Sequence, residues 1–100
     1  MKIAIFGLGF LGSKLKDFFS NKYKVVGIDI EPSINNSVIV LDATNEKDVE
    51  KLLISENPDI VINTIALSSY FTCEKNIQLC RRLNYDTANN IVKACEKLNI

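Results

Sequence analysis

One hundred residues make one small domain, long enough to bury roughly two-thirds of its unfolded surface around a single core. Twelve basic and twelve acidic side chains cancel to zero formal net charge, which argues against a nucleic-acid partner or an anionic membrane surface. The composition is 47% hydrophobic, as in a globular fold, and no apolar run approaches the ~20 residues that span a bilayer.

Lys2 to Phe6 reads as a buried strand, and Phe10 to Ser20 as a helix with Phe10, Leu11, Leu15, Phe18 and Phe19 turned inward. Between them, Gly7, Gly9 and Gly12 form the G-x-G-x-x-G of a strand–turn–helix unit that holds a dinucleotide pyrophosphate. Gly7 turns the chain off the strand. Gly9 lets a phosphate approach the backbone, and Gly12 lets the helix pack on the sheet. Phe10, Leu11 and Gly12 open that helix, whose free N–H groups and dipole favour an anion without a basic side chain.

Lys24 to Ile30 is the second strand. Asp29 stands 22 positions after Gly7 and 17 after Gly12, close to the ~20-residue spacing at which a carboxylate meets the adenosine ribose, with Ile30 beside it. A carboxylate there repels a 2′-phosphate, and no arginine follows in DIEPSINN, so NAD is expected over NADP. Glu31 to Ser37 is a loop, Val38 to Leu41 the third strand, and Asn45 to Ser55 a helix capped by Thr44 or Asn45, with Val49, Leu52 and Leu53 inward. Asp59 to Asn63 is the fourth strand, and Ala66 to Glu74 a loop.

One helix is expected from near Asn76 to about Leu98, with Ile77, Cys80, Asn84, Thr87, Ala88, Ile91, Cys95 and Leu98 on one face. Asn84 is the polar exception there. It serves either as a solvent or backbone contact at the helix edge or as a clamp on a neighbouring loop, since an unpaired buried amide costs on the order of 1–3 kcal/mol.

Cys73, Cys80 and Cys95 are odd in number, show no Cys-x-x-Cys and have no histidine to join them, so neither a disulfide nor a metal site is expected. The first strand begins almost at Met1, which leaves no room for a signal peptide and points to the cytoplasm.

Alternating strands and helices with right-handed crossovers give an α/β, Rossmann-type αβα sandwich with a parallel sheet in the order 3-2-1-4. The order reverses between strands one and four. Gly7 to Gly12 and Asn63 to Ala66 meet at that switch point, where ligands sit in such sheets.

From Asp42 onward the strings LDATNEKDVEKLL, ENPDIVINTIALSSYFTCE and LNYDTANNIVKACEKLNI resemble the extended short-chain dehydrogenases/reductases, nearest to the dTDP-4-dehydrorhamnose reductases. The resemblance implies that Asp42, with Ala43 beside it, meets the adenine amino group. It implies that Asn63, Thr64, Ile65 and Ala66 border the ribose and pyrophosphate, with Leu67 and Ser68 toward the nicotinamide. It places Asn84 on the helix supporting the active-site strand, and Glu74 at a loop acid common in such reductases.

Three departures stand out. The first glycine gap is one residue shorter than the family's usual G-x-x-G-x-x-G. Phe71 and Thr72 stand where rhamnose-type reductases often carry Asp-Lys. The family's catalytic Tyr-x-x-x-Lys is absent, because Tyr23, Tyr70 and Tyr85 are followed four positions on by Gly27, Glu74 and Asn89.

The expectation is therefore the N-terminal part of an NAD(P)-binding domain, ending before a fifth strand. It binds a dinucleotide within a longer reductase acting on a nucleotide sugar, performs no hydride transfer alone, and leaves a homodimer open. The alternatives are a nucleotide-sensing domain of a potassium transport system, which shares the Asp-Ala-Thr of residues 42–44, and a noncatalytic reductase-like subunit.

Overall fold

In the computed structural model, which describes residues 1–33 and 37–100, the chain forms a four-stranded parallel sheet in the order β3-β2-β1-β4. The elements are β1 (Lys2–Phe6), α1 (Phe10–Ser20), β2 (Lys24–Asp29), β3 (Val38–Val40), α2 (Glu46–Glu56), β4 (Ile60–Asn63), α3 (Tyr70–Lys75), α4 (Ile77–Arg81), a π-helical turn (Arg82–Asp86) and α5 (Thr87–Leu98). Residues 34–36 of the expected loop lie outside the described residues.

β1 is the central strand and the most deeply covered. It pairs with β2 from Lys2↔Lys24 to Phe6↔Ile28 and with β4 from Ile3↔Ile60 to Phe6↔Asn63. A parallel strand covered on both faces must be apolar throughout, and Ile3, Ala4, Ile5 and Phe6 are all buried. The period of two then sorts them. Ala4, Phe6 and Ile28 pack with Val49 and Leu53 of α2 and Ile91 and Ala94 of α5 in the main core. On the other face Lys16 and Leu8 lie against Gly27, so α1 covers the side that Ile3 and Ile5 point to. The result is the expected αβα sandwich.

α2 is set by local rules. Asn45 caps it by accepting a hydrogen bond from the Asp48 N–H (3.1 Å), and Glu46 and Asp48 put negative charge in its first turn. Asn57 ends it in the left-handed conformation at φ 46°, and Pro58 blocks continuation. Asp59 lies just before β4 rather than in it. Its carboxylate accepts from the Lys2 N–H (2.7 Å), and its own N–H donates to the Lys2 carbonyl, fixing the register of β4 on β1.

Four further expectations are corrected. Phe10, Leu11 and Phe18 of α1 are exposed rather than inward. The helix approaches the sheet through Gly12, with Leu15, Lys16 and Phe19 half-buried beside it, so the closest point is the residue without a side chain. The segment expected as a loop before Glu74 contains α3, capped by Ser69 accepting from the Thr72 N–H (3.2 Å). The single long helix is instead α4, a π turn and α5. The π turn inserts an extra residue between α4 and α5; in α5 Thr87 and Ile91 are buried as expected and Asn90 and Ala94 join them, while Ile77 in α4 is exposed. Finally, Cys73 and Cys80 form a disulfide between α3 and α4, with Cα atoms 5.1 Å apart. Intervening turns bring residues seven positions apart into bonding range, which a count of cysteines did not reveal.

A Cβ on Gly12 would stand 1.7 Å from the Gly7 carbonyl oxygen. Gly12→Ala is therefore expected to destabilise the fold by on the order of 3 kcal/mol, read by urea denaturation; a variant within about 0.5 kcal/mol of the parent would refute this contact.

Candidate functional site

The site is built where β1 and β4 diverge. Gly7 leaves β1 with φ +87°, a conformation L side chains rarely adopt, and its N–H donates to the Ile28 carbonyl (2.8 Å). Thr64, at the end of β4, closes the bend from the other side. Its N–H donates to Phe6 O (2.8 Å), and its hydroxyl lies within hydrogen-bond reach of Phe6 O (3.0 Å) and Gly7 O (2.7 Å). Ser13 Oγ donates to Leu8 O (2.6 Å). These bonds satisfy the bend's carbonyls and leave its forward side open.

Gly9 sits on that open side. A Cβ there would meet nothing within 4 Å, and its φ of −71° suits any residue. The fold itself does not require glycine at this position. It is also the N-cap of α1, with no side chain capping the helix and no acid in its first turn. The leading N–H groups of α1, at Phe10, Leu11 and Gly12, are thus left for an outside acceptor. Phe10 is 86% exposed beside them.

Asp29 ends β2 against this bend. One carboxylate oxygen accepts from the Leu8 N–H (2.7 Å) and the other from the Glu31 N–H (3.2 Å). The spacing noted in the sequence therefore corresponds to direct contact between the acid and the glycine turn. Beside it lies a cavity of about 80 Å³, lined by Asp29, Ile30, Leu41, Asp42, Ala43, Thr44, Ile65, Leu83 and Thr87. Asp42 accepts from both the Thr44 hydroxyl (2.7 Å) and N–H (3.0 Å), and these hold its carboxyl below the usual carboxylate range. Both bonds fall on Oδ1, which leaves Oδ2 for a ligand.

Asn63 accepts from the Ile65 N–H through its side-chain oxygen (3.0 Å), which bends the chain out of β4, and Ala66 is exposed beyond it. The structure thus brings Gly7, Gly9, Asp29 and Thr64 to one bend, and Ile30, Asp42, Ala43 and Ile65 to the adjoining cavity. Sequence reasoning missed Leu83 and Thr87 as lining residues, because the π turn that aims them has no simple pattern. It also missed Asn90, which is buried and donates to the Ala43 carbonyl (3.0 Å).

Asn84 acts as a clamp. Its side-chain oxygen accepts from the Leu67 N–H (2.6 Å), and its amide donates to the Leu67 carbonyl (3.0 Å). Of the two readings left open by the sequence, this geometry selects the bond to a neighbouring loop.

Because Asp42's pKa is lowered, its stabilising effect is full above the ordinary carboxylate pKa and is lost as pH falls through the lowered value. Thr44→Val is expected to raise the Asp42 pKa toward its ordinary value, as read by carboxyl NMR titration. An unmoved titration would rule out the hydroxyl as the main cause.

A family model described as the RmlD substrate binding domain matches residues 1–100. The chain is similar to the dTDP-4-dehydrorhamnose reductase of Clostridium acetobutylicum at 28% identity and TM-score 0.84, covering 98% of this chain and 33% of that one. A dTDP-4-dehydrorhamnose reductase of Bacillus anthracis solved with NADP matches at 24% identity and TM-score 0.84, covering 98% and 33%. A UDP-glucose 4-epimerase of Thermus thermophilus solved with NAD matches at 21% identity and TM-score 0.86, covering 100% and 35%. The last two likenesses show the fold. The chain spans about a third of the length of these structures. With glycine bend, sheet order and whole-length match in agreement, the chain belongs to the RmlD substrate binding domain family.

Proposed function

We propose that this chain is the dinucleotide-binding portion of an NAD(P)-dependent sugar-nucleotide reductase of the dTDP-4-dehydrorhamnose reductase type. The carrying observation is Gly9: a glycine that neither backbone angle nor neighbouring atoms demand, at the uncapped start of a helix. A phosphate approaching that backbone explains the missing side chain, and the N–H groups of α1 explain how its charge is met.

The residues fit such a ligand in order along the crevice. The α1 start receives the pyrophosphate, Asp29 the adenosine ribose, and the cavity bordered by Asp42 and Ala43 the adenine edge. Asn63 to Ala66 line the opposite wall. A bound nicotinamide dinucleotide would supply the hydride chemistry. This chain binds and orients it. The Tyr-x-x-x-Lys pair that would move a proton is absent from residues 1–100, and the Tyr70 hydroxyl donates to Glu74 (2.8 Å).

Charge beside Asp29 supports NAD over NADP. A second cavity, on the α1 side of Asp29, is lined among the described residues by Asp17, Asp29 and Glu31 against one ammonium, Lys16, so a 2′-phosphate would meet an excess of negative charge.

Two variants test the reading by calorimetric titration. Gly9→Val is expected to weaken NADH binding at least ~100-fold while leaving the urea midpoint nearly unchanged; retained affinity would refute the phosphate site. Asp29→Asn keeps an acceptor for the Leu8 N–H but removes the charge, and is expected to reduce discrimination against NADPH by roughly tenfold. Unaltered discrimination would remove Asp29 from cofactor choice.

A further inference from the structure

We propose that the Cys73–Cys80 pair is a redox-sensitive fastener for the Leu67 segment, which runs out of the β4 turn beside the glycine bend. The proposal rests on the dinucleotide reading only for its consequence at the site.

α3 and α4 have six and five residues, too short to persist without tertiary support. Asn76 joins them through the backbone, and the disulfide adds a side-chain cross-link that fixes one against the other. Both sulfurs touch the Leu67–Asn84 clamp. Cys73 Sγ lies 3.6 Å from the Leu67 carbonyl oxygen, and Asn84 Nδ2 donates to Cys80 Sγ at 3.3 Å. The Asn84 amide is thereby fully used: its oxygen takes the Leu67 N–H, one hydrogen goes to Leu67 O and the other toward Cys80.

A disulfide sulfur carries no proton, so in the bonded state Cys73 cannot donate to Leu67 O, which accepts from the Asn84 amide. Reduction changes both contacts. The thiolate of a dithiol reductant attacks one sulfur, and its second thiol resolves the mixed disulfide. Two electrons and two protons end on Cys73 and Cys80, and the reductant leaves as its own disulfide. The two sulfurs, no longer bonded, must move apart, which shifts α3 against α4. The new Cys73 S–H then competes with Asn84 for Leu67 O. The third cysteine stays out of this chemistry, because Cys95 packs against the main core and burial pushes its thiol pKa up.

The test compares the full chain oxidised with glutathione disulfide and reduced with dithiothreitol. Thiol titration after denaturation should find one thiol in the first and three in the second, matching one free and two bonded cysteines. Amide exchange by NMR should show Leu67 exchanging roughly tenfold faster on reduction, with Ile91 in the core unchanged. Cys73→Ser/Cys80→Ser should exchange fast in both conditions. NADH should bind several-fold more weakly to the reduced chain. Three thiols in both samples, equal Leu67 exchange in both, or equal NADH affinity in a chain that binds NADH would each overturn the proposal. No NADH binding in either state would instead defeat the dinucleotide reading, and the fastener would be judged by thiols and exchange alone.

Discussion

The close approach of Gly12 to the Gly7 carbonyl is the constraint on which the rest of the structure depends. It sets how near α1 lies to the tip of β1, and so where the helix's leading N–H groups stand. Thr64 makes the same bend rigid from β4 by binding the Phe6 and Gly7 carbonyls. A Cβ at Gly7 would come within 2.7 Å of the Thr64 hydroxyl oxygen. Two glycines are thus needed by neighbouring atoms, and the third is not. That contrast separates fold from ligand: Gly7 and Gly12 are explained by contacts inside the molecule, whereas Gly9 faces open space.

The two helices that start on either side of the sheet make the same distinction. α2 has a capping asparagine and two acids in its first turn, so its positive end is satisfied within the chain. α1 has neither. A helix start without internal partners normally costs stability, and here it stands beside the unneeded glycine and the fixed carboxylate of Asp29. Three separate features, of backbone, helix end and side chain, converge on one crevice.

Strands, sheet order, α2 and the glycine bend were legible because each follows from a local rule: apolar runs, crossover handedness, a capping residue, a glycine spacing. What the sequence hid was set by phase and distance. The apolar residues Phe10 and Phe18 suggested an inward face, yet the contact point of α1 is a glycine, and hydrophobicity carries no mark for close approach through an absent side chain. The π turn at Arg82–Asp86 leaves no signature in a three- and four-residue repeat, so α4 and α5 read as one helix, and Asn90, a polar residue between the expected Thr87 and Ile91, drew no notice. The bond between Cys73 and Cys80 depends on the turn between α3 and α4, which cysteine counting does not see.

The π turn also explains why polar residues sit where an apolar stripe was expected. Asn84 lies within it and grips Leu67, beyond β4; Asn90 lies after it and grips Ala43, beyond β3. Between them Thr87 lines the cavity that these two segments border, and its hydroxyl donates to the Arg82 carbonyl five residues back (3.2 Å), inside the wider turn. One stretch of helix thereby fixes the exits of two strands that lie on opposite sides of β1. A regular apolar helix would pack as well against the core but would hold neither exit. The break in periodicity therefore belongs to the site: it trades a uniform buried face for two amide clamps spanning the crevice where the sheet reverses.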